Sequence, residues 1–351
     1  MASPATAPML DVALLSGFGF SCRPDCGLCC YAEPRVLAEE RTRLLQIQPD
    51  IEFVRHGEYQ FLVSRGDGGS CELLRDHRCD AHSARPHPCR EFPVMVHVGT
   101  RLQATVVLSC PGTDLAGLRA PGGAGRSGPS AFELELGSVR ERLDVTLARR
   151  VEASRRRRLR IARRLESEGR WEEEERVRDA LRGSIPLPRD QDFPAVDPPE
   201  ADDGIERLPL FFDGRPGPVA LSSGVGGWEL HELSPNGGFS RSLGVVPAPD
   251  RLPALTPEAA ELLLGYLGYW LERDAFFGAL HLDMLEDGEG TVTEWAADEL
   301  RSVGALTLAR AAVRAKVARG EVERLTESDV ADGIRATDQD LLDRDSWGER
   351  L

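Results

Sequence analysis

The segment Cys22-Arg23-Pro24-Asp25-Cys26-Gly27-Leu28-Cys29-Cys30 holds four thiols in one short loop. Cys71, Cys79, Cys89 and Cys110 follow, and no cysteine occurs after them in a chain of 351 residues. Eight thiols confined to the N-terminal third read as a site. Disulfides, zinc and an iron–sulfur centre compete for such a set, with inert thiols buried as small hydrophobes as the plain alternative. The N-terminus has no basic residue before its brief apolar run from Met9 to Leu15, so no secretory signal is read. The expected location is therefore the cytoplasm, where thiols stay reduced and bind metal.

Structural zinc takes four Cys or His ligands, and eight cysteines would fill two sites. On extended backbone, neighbouring side chains face opposite ways, so Cys29 and Cys30 are expected to serve two centres, or one centre and a core or redox thiol. Iron–sulfur clusters also use four thiolates in short-spaced runs, with a proline after one cysteine. Cys110-Pro111 has that form, and with the cysteine-only set it tilts the reading toward iron–sulfur over zinc. Arg23, Arg85 and Arg90 stand beside these cysteines and would offset the negative charge of a thiolate site. His77, His82 and His87 interleave with the second set and read as outer or surface residues, because the thiols already satisfy two centres.

With 41% hydrophobic residues the chain can bury real cores, and no apolar run reaches the length of a membrane span. A net charge of −15 and a pI near 5.1 argue against nucleic acid or an anionic membrane as the main partner, leaving a protein or small molecule of unspecified identity. Lys316 is the only lysine.

The fold class expected is α+β. A cysteine module over 9–112 contains a helix from Val36 to Ile47, a strand from Tyr59 to Ser64, and a hairpin in which Val94, Val96 and Val98 alternate on one arm and Leu102, Ala104 and Val106 on the other. Gly-, Pro- and Ser-rich residues 113–130 read as a flexible linker. A long helix or helical hairpin over 131–183 follows, broken near Gly169 and capped at Gly183. Residues 140–182 carry 15 Arg against 10 acidic residues. The run Arg155-Arg156-Arg157-Arg158 could form a nucleic-acid patch, but a solvated face neutralised by Glu172–Glu175 is preferred. Residues 184–206 form a Pro-rich acidic linker, and 207–351 an α+β domain of unassigned role. In it, four short strands between Leu208 and Val246 precede helices at Pro257–Leu285, Thr291–Arg319 and Glu327–Asp343.

The pattern Cys22-x3-Cys26-Gly27-x-Cys29-Cys30, then Cys71-Glu-Leu-Leu, Cys79, Arg85-Pro86, Cys89-Arg90-Glu-Phe92-Pro93 and Cys110 resembles the YkgJ-type cysteine-cluster family, described as chelating zinc or iron. The resemblance covers about residues 20–112 and implies metal binding through all eight cysteines, with a structural or redox role. A similar cysteine module in flagellin lysine N-methylases implies an alternative, a metal-dependent enzyme using S-adenosylmethionine. Cys22-x3-Cys26-x2-Cys29 also has radical S-adenosylmethionine spacing, but the βα-barrel pattern such enzymes need is absent from the sequence. Whether the chain is an enzyme stays open: it has no nucleophile-elbow, phosphate-loop or His-Glu-x-x-His motif, and Ser223–Gly227 lies among turn signals. His231 and His281 read as packing or surface histidines, and the acidic turn around Asp283–Glu289 as solvated.

Overall fold

The computed structural model describes residues 8–343 and 349–350, apart from 24–25, 32–33, 58, 66–68, 77, 120–128, 190–209, 212–218, 225–226, 235, 237–238, 247–250 and 321. His77 and most of the Pro-rich segment 184–206 lie outside the described residues.

Helix and sheet are mixed, as in the expected α+β class. The N-terminal lobe sets β1 (Leu10–Asp11), β2 (Arg35–Val36), α1 (Ala38–Ile47), β3 (Phe53–His56), β4 (Tyr59–Leu62), β5 (Leu74–Arg75), β6 (Arg78–Cys79), α2 (His87–Glu91), β7 (Val94–Val98) and β8 (Leu102–Val106) in chain order. β2, β4 and β3 form one small sheet, and β5–β6 a second. β7 and β8 pair antiparallel from Val94↔Val106 to Val98↔Leu102, and β1 adds to β8 in parallel.

Alternation along this hairpin marks one apolar face, yet both faces are buried. His97, Gln103 and Thr105 on the second face are 4%, 2% and 1% exposed. Each has a partner there: Gln103 donates to the Glu272 carbonyl at 3.2 Å and accepts from Asp274 N at 2.7 Å, while His97 Nε2 lies 3.1 Å from Thr105 Oγ1. Burial of polar groups at this depth requires such partners.

The expected helical region resolves into α3 (Glu133–Arg140), α4 (Val145–Ser167) and α5 (Glu174–Arg182). The Asp144 carboxylate caps α4 by accepting from Thr146 N and Leu147 N. The chain turns back after it at Gly169, whose φ of 71° suits glycine. A meander follows, with strands β9 (Leu210–Phe211), β10 (Val219–Gly224), β11 (Gly227–Leu233) and β12 (Phe239–Val246) ordered 12-11-10-9.

β13 (Ala254–Leu255) leads into α6 (Pro257–Leu271), α7 (Asp274–Asp287) and α8 (Val292–Arg319), and β14 (Arg324–Leu325) into α9 (Glu327–Asp343). The single helix expected over 257–285 is broken at Arg273, whose backbone is extended. Its guanidinium is 1% exposed, stacks 4.0 Å from the Trp270 ring centre and 4.6 Å from that of Tyr269, and pairs with Asp338 on α9 at 3.2 Å. Reaching that partner outweighs continuing the helix. No helix is long and apolar enough to cross a membrane among the described residues.

Two hydrophobic cores result among the described residues. The larger runs from Leu15 and Phe18 through Val94–Val106, Phe132, Leu136 and α4 to Tyr266, Trp270, Leu300 and Ile334. Hairpin β7–β8 and the C-terminal helices thus share one core across both segments read above as linkers. The smaller core, with Val36, Leu44, Ile51, Leu62, Leu73 and Ala84, belongs to the cysteine lobe and takes in Cys71 directly.

Candidate metal centre

Local backbone structure brings the thiols together. An antiparallel bridge between Phe20 and Thr113, with Ser21 N donating to the Gly112 carbonyl at 2.9 Å, sets Cys22 beside the Cys110 turn. Gly27 takes φ 63° and lets the chain reverse after Cys26, and one 3-10 turn over Leu28–Tyr31 carries Cys29 and Cys30. Cys71 N donates to the Cys30 carbonyl at 2.6 Å. Cys79 pairs with Leu74 in the β5–β6 hairpin, just after Cys71, and Cys89 sits on α2.

All eight thiols line two adjoining cavities. The first, about 440 Å³, is bordered by Cys22, Cys26, Cys29, Cys89 and Cys110. The second, about 320 Å³, is bordered by Cys22, Cys29, Cys30, Cys71, Cys79 and Cys89. Cys22, Cys29 and Cys89 belong to both, as do Arg23, Arg85 and His82. All eight cysteines are free thiols. No three Cys, His, Asp or Glu side chains among the described residues are set around a common point as ligands of one ion.

The expectation that Cys29 and Cys30 face opposite ways rested on extended backbone. In the 3-10 turn the two thiols hydrogen-bond to each other, and Cys29 borders both cavities. Of the histidines, His82 lines both cavities, so it stands closer to the thiols than its outer-residue reading suggested. His87 is turned away, with Nδ1 3.1 Å from Glu40 Oε2.

The electrostatics are those of thiols buried close to one another. Burial raises the Cys71 thiol to about 11 and Cys110 to about 12, and pushes Cys22, Cys79 and Cys89 upward as well. Neighbouring thiolates add to that rise, Cys29, Cys71 and Cys79 acting on Cys89. Cys29 shifts down, to about 7, because Cys30 hydrogen-bonds to it and the Arg85 charge favours its thiolate; Cys30 rises in consequence. A divalent cation or a cationic iron–sulfur core supplies the positive charge that lets such thiols ionise together, so the donor set fits the group.

Sequence reasoning missed Glu40. This carboxylate, 0% exposed, accepts from Leu37 N at 3.0 Å, from His87 N at 2.8 Å and from Arg90 Nη2 at 3.4 Å. It locks the start of α1 to α2, and hence to Cys89. Burial opposes its charge, but the hydrogen bonds from His87 and Leu37 prevail and hold its pKa at about 2. Its position three residues after Leu37, where a capping-box glutamate stands, was the available signal.

The loops converge thiols on adjoining cavities and are joined to a helical body. Residues 21–111 match the model of the CxxCxxCC family, described as "Putative zinc- or iron-chelating domain". No curated protein and no solved structure matches the chain.

Proposed function

We propose that the N-terminal lobe holds zinc or an iron–sulfur cluster through the thiolates of Cys22, Cys26, Cys29, Cys30, Cys71, Cys79, Cys89 and Cys110, in a structural or redox role. The observation that carries this reading is the pair of adjoining thiol-lined cavities sharing Cys22, Cys29 and Cys89. Thiols close to one another but short of a ligand set draw in on loading, so metal affinity and lobe stability are one quantity. Arg23 and Arg85 stay at the cavity walls to balance thiolate charge, and Glu40 holds α2 in place. When bound, the group supplies either a rigid cross-link or an electron-transfer centre.

The test is purification without oxygen, with zinc, iron and acid-labile sulfide measured per chain, for the native protein and for Cys26→Ser and Cys89→Ser. Each variant is expected to lose metal and melt at lower temperature. Unchanged stoichiometry in both would remove these thiols from the centre.

A further inference from the structure

The turn that carries Cys110 is held from the far end of the chain. Gly333 lets α9 lie close against α8, because a Cβ there would come 2.3 Å from the Thr307 carbonyl oxygen and 2.9 Å from the Ala311 Cβ. Two residues on, Arg335 donates through Nη1 to the Leu108 carbonyl at 3.2 Å and the Cys110 carbonyl at 2.9 Å, and through Nη2 to the Thr113 carbonyl at 3.4 Å. The buried Asp338 carboxylate accepts from Leu108 N at 2.7 Å. Residues three apart share a helix face, so α9 presents a cation and an anion to one short stretch of backbone. A guanidinium holds its donors in a rigid fork, which fixes the direction of that backbone as well as its distance.

The same turn governs where Cys22 begins. Ser21 N donates to the Gly112 carbonyl at 2.9 Å, and a Cβ on Gly112 would meet the Ser21 carbonyl oxygen at 2.5 Å. The Cys110 turn and the start of the Cys22 loop therefore shift together. Both thiols border the first cavity. Arg335 lies 225 residues beyond Cys110 and outside the matched segment 21–111.

We propose that Arg335 is a positioning residue of the metal centre: its fork presents the Cys110 thiolate to the bound ion directly, and the Cys22 thiolate through Gly112 and Ser21. This rests on the metal-binding reading above and extends the centre to a helix outside the cysteine lobe. Metal–thiolate bonds tolerate little misplacement, and residues that orient ligands from behind typically set affinity by about 10–100-fold. The coupling is reciprocal, so metal strengthens the docking of α9 by the factor that the docked helix adds to affinity.

Zinc affinity, read by competition with a chromogenic chelator, and urea stability of the metal-free and zinc-loaded full-length protein test it. Arg335→Met should bind zinc about tenfold or more weakly and lose more stability loaded than metal-free. Cobalt(II) bound to this variant should give weaker thiolate charge-transfer absorption per ion, a signature that a merely structural staple leaves unchanged. Arg335→Lys keeps the charge without the fork and should fall between, and it carries the comparison where the methionine variant does not fold. Arg319→Met breaks the pair with Asp329 that holds the first turn of α9, at 2.8 and 2.7 Å, and should lower stability without changing zinc affinity. Native zinc affinity in both Arg335 variants, or an equal loss in Arg319→Met, would overturn the inference. Loss of affinity in Cys110→Ser alone would do so while leaving the metal reading in place, whereas native affinity in Cys110→Ser would remove this thiol from the centre and the inference with it.

Discussion

Replacing Glu40 by glutamine keeps the shape of a buried junction and removes only its charge. Three backbone and side-chain groups donate to this carboxylate, and His87 Nδ1 lies 3.1 Å away, so the amide would lose charge-assisted bonds that fasten α2 to α1. The magnitude follows from proton affinity. A fall from an ordinary 4.5 to about 2 corresponds, at about 1.4 kcal/mol per factor of ten, to about 3 kcal/mol of stability. Because the folded-state pKa is the lower one, this stability is fully present above about pH 4.5 and is lost as pH falls toward 2. Glu40→Gln should therefore lie about 2–3 kcal/mol below the native protein at pH 7, and the gap should narrow by about 1 kcal/mol at pH 4. Urea denaturation of both proteins at the two pH values, followed by circular dichroism and by the rate of Cys89 alkylation, measures it. A gap equal at both pH values, or under about 0.5 kcal/mol at pH 7, would show that Glu40 is not the charged lock described.

Zinc uptake by the metal-free protein should release protons, and apparent affinity should fall by at least about tenfold per pH unit from 8 to 6, because Cys71 and Cys110 are protonated there without metal; a flat profile in a competitive chelator titration would contradict this. In the metal-free protein at pH 7.5, iodoacetamide should modify Cys29 before Cys30, and Arg85→Ala should slow that reaction, as read by mass spectrometry. Asp338→Asn should cost about 3–5 kcal/mol in chemical denaturation, since it leaves the Arg273 guanidinium buried and unpaired.

Much of the architecture was legible because local signals and tertiary packing agree. Apolar spacing pointed to α1, helices were expected where α8 and α9 lie, Gly169 marked the turn after α4, and alternation pointed to the β7–β8 hairpin. What was not legible depends on residues far apart in sequence. Gln103 looks like a solvent-facing position of a hairpin, and only Glu272 and Asp274 make its burial possible. The break at Arg273 has no glycine or proline to announce it, and its cause, Asp338, lies 65 residues away. The four-arginine run reads as one charge block, yet helical rotation sends Arg155 to the Thr100 carbonyl, Arg156 toward Glu152 and Arg158 inward to Glu174 and Asp274, and leaves Arg157 exposed. At the centre, the sequence suggested the eight thiols as a set, while the 3-10 turn at Leu28–Tyr31 that carries Cys29 and Cys30 is not signalled by adjacent cysteines.

The C-terminal helix bears directly on the cysteine lobe. Arg335 donates to the carbonyls of Leu108 at 3.2 Å, Cys110 at 2.9 Å and Thr113 at 3.4 Å, and Asp338 accepts from Leu108 N at 2.7 Å. One turn of α9 thereby pins the backbone on both sides of Cys110, and Asp338 passes that constraint through Arg273 to the aromatic stack of α6. Cys89 is anchored through Glu40, and Cys71 and Cys79 by pairing with neighbouring strands. Cys22, exposed on its loop, has the least to move against. If the eight thiols bind metal as proposed, Cys71, Cys79, Cys89 and Cys110 are the ones already held by the rest of the molecule. Binding would then cost less chain entropy, because the entropy of fixing those four thiols was lost when the body folded.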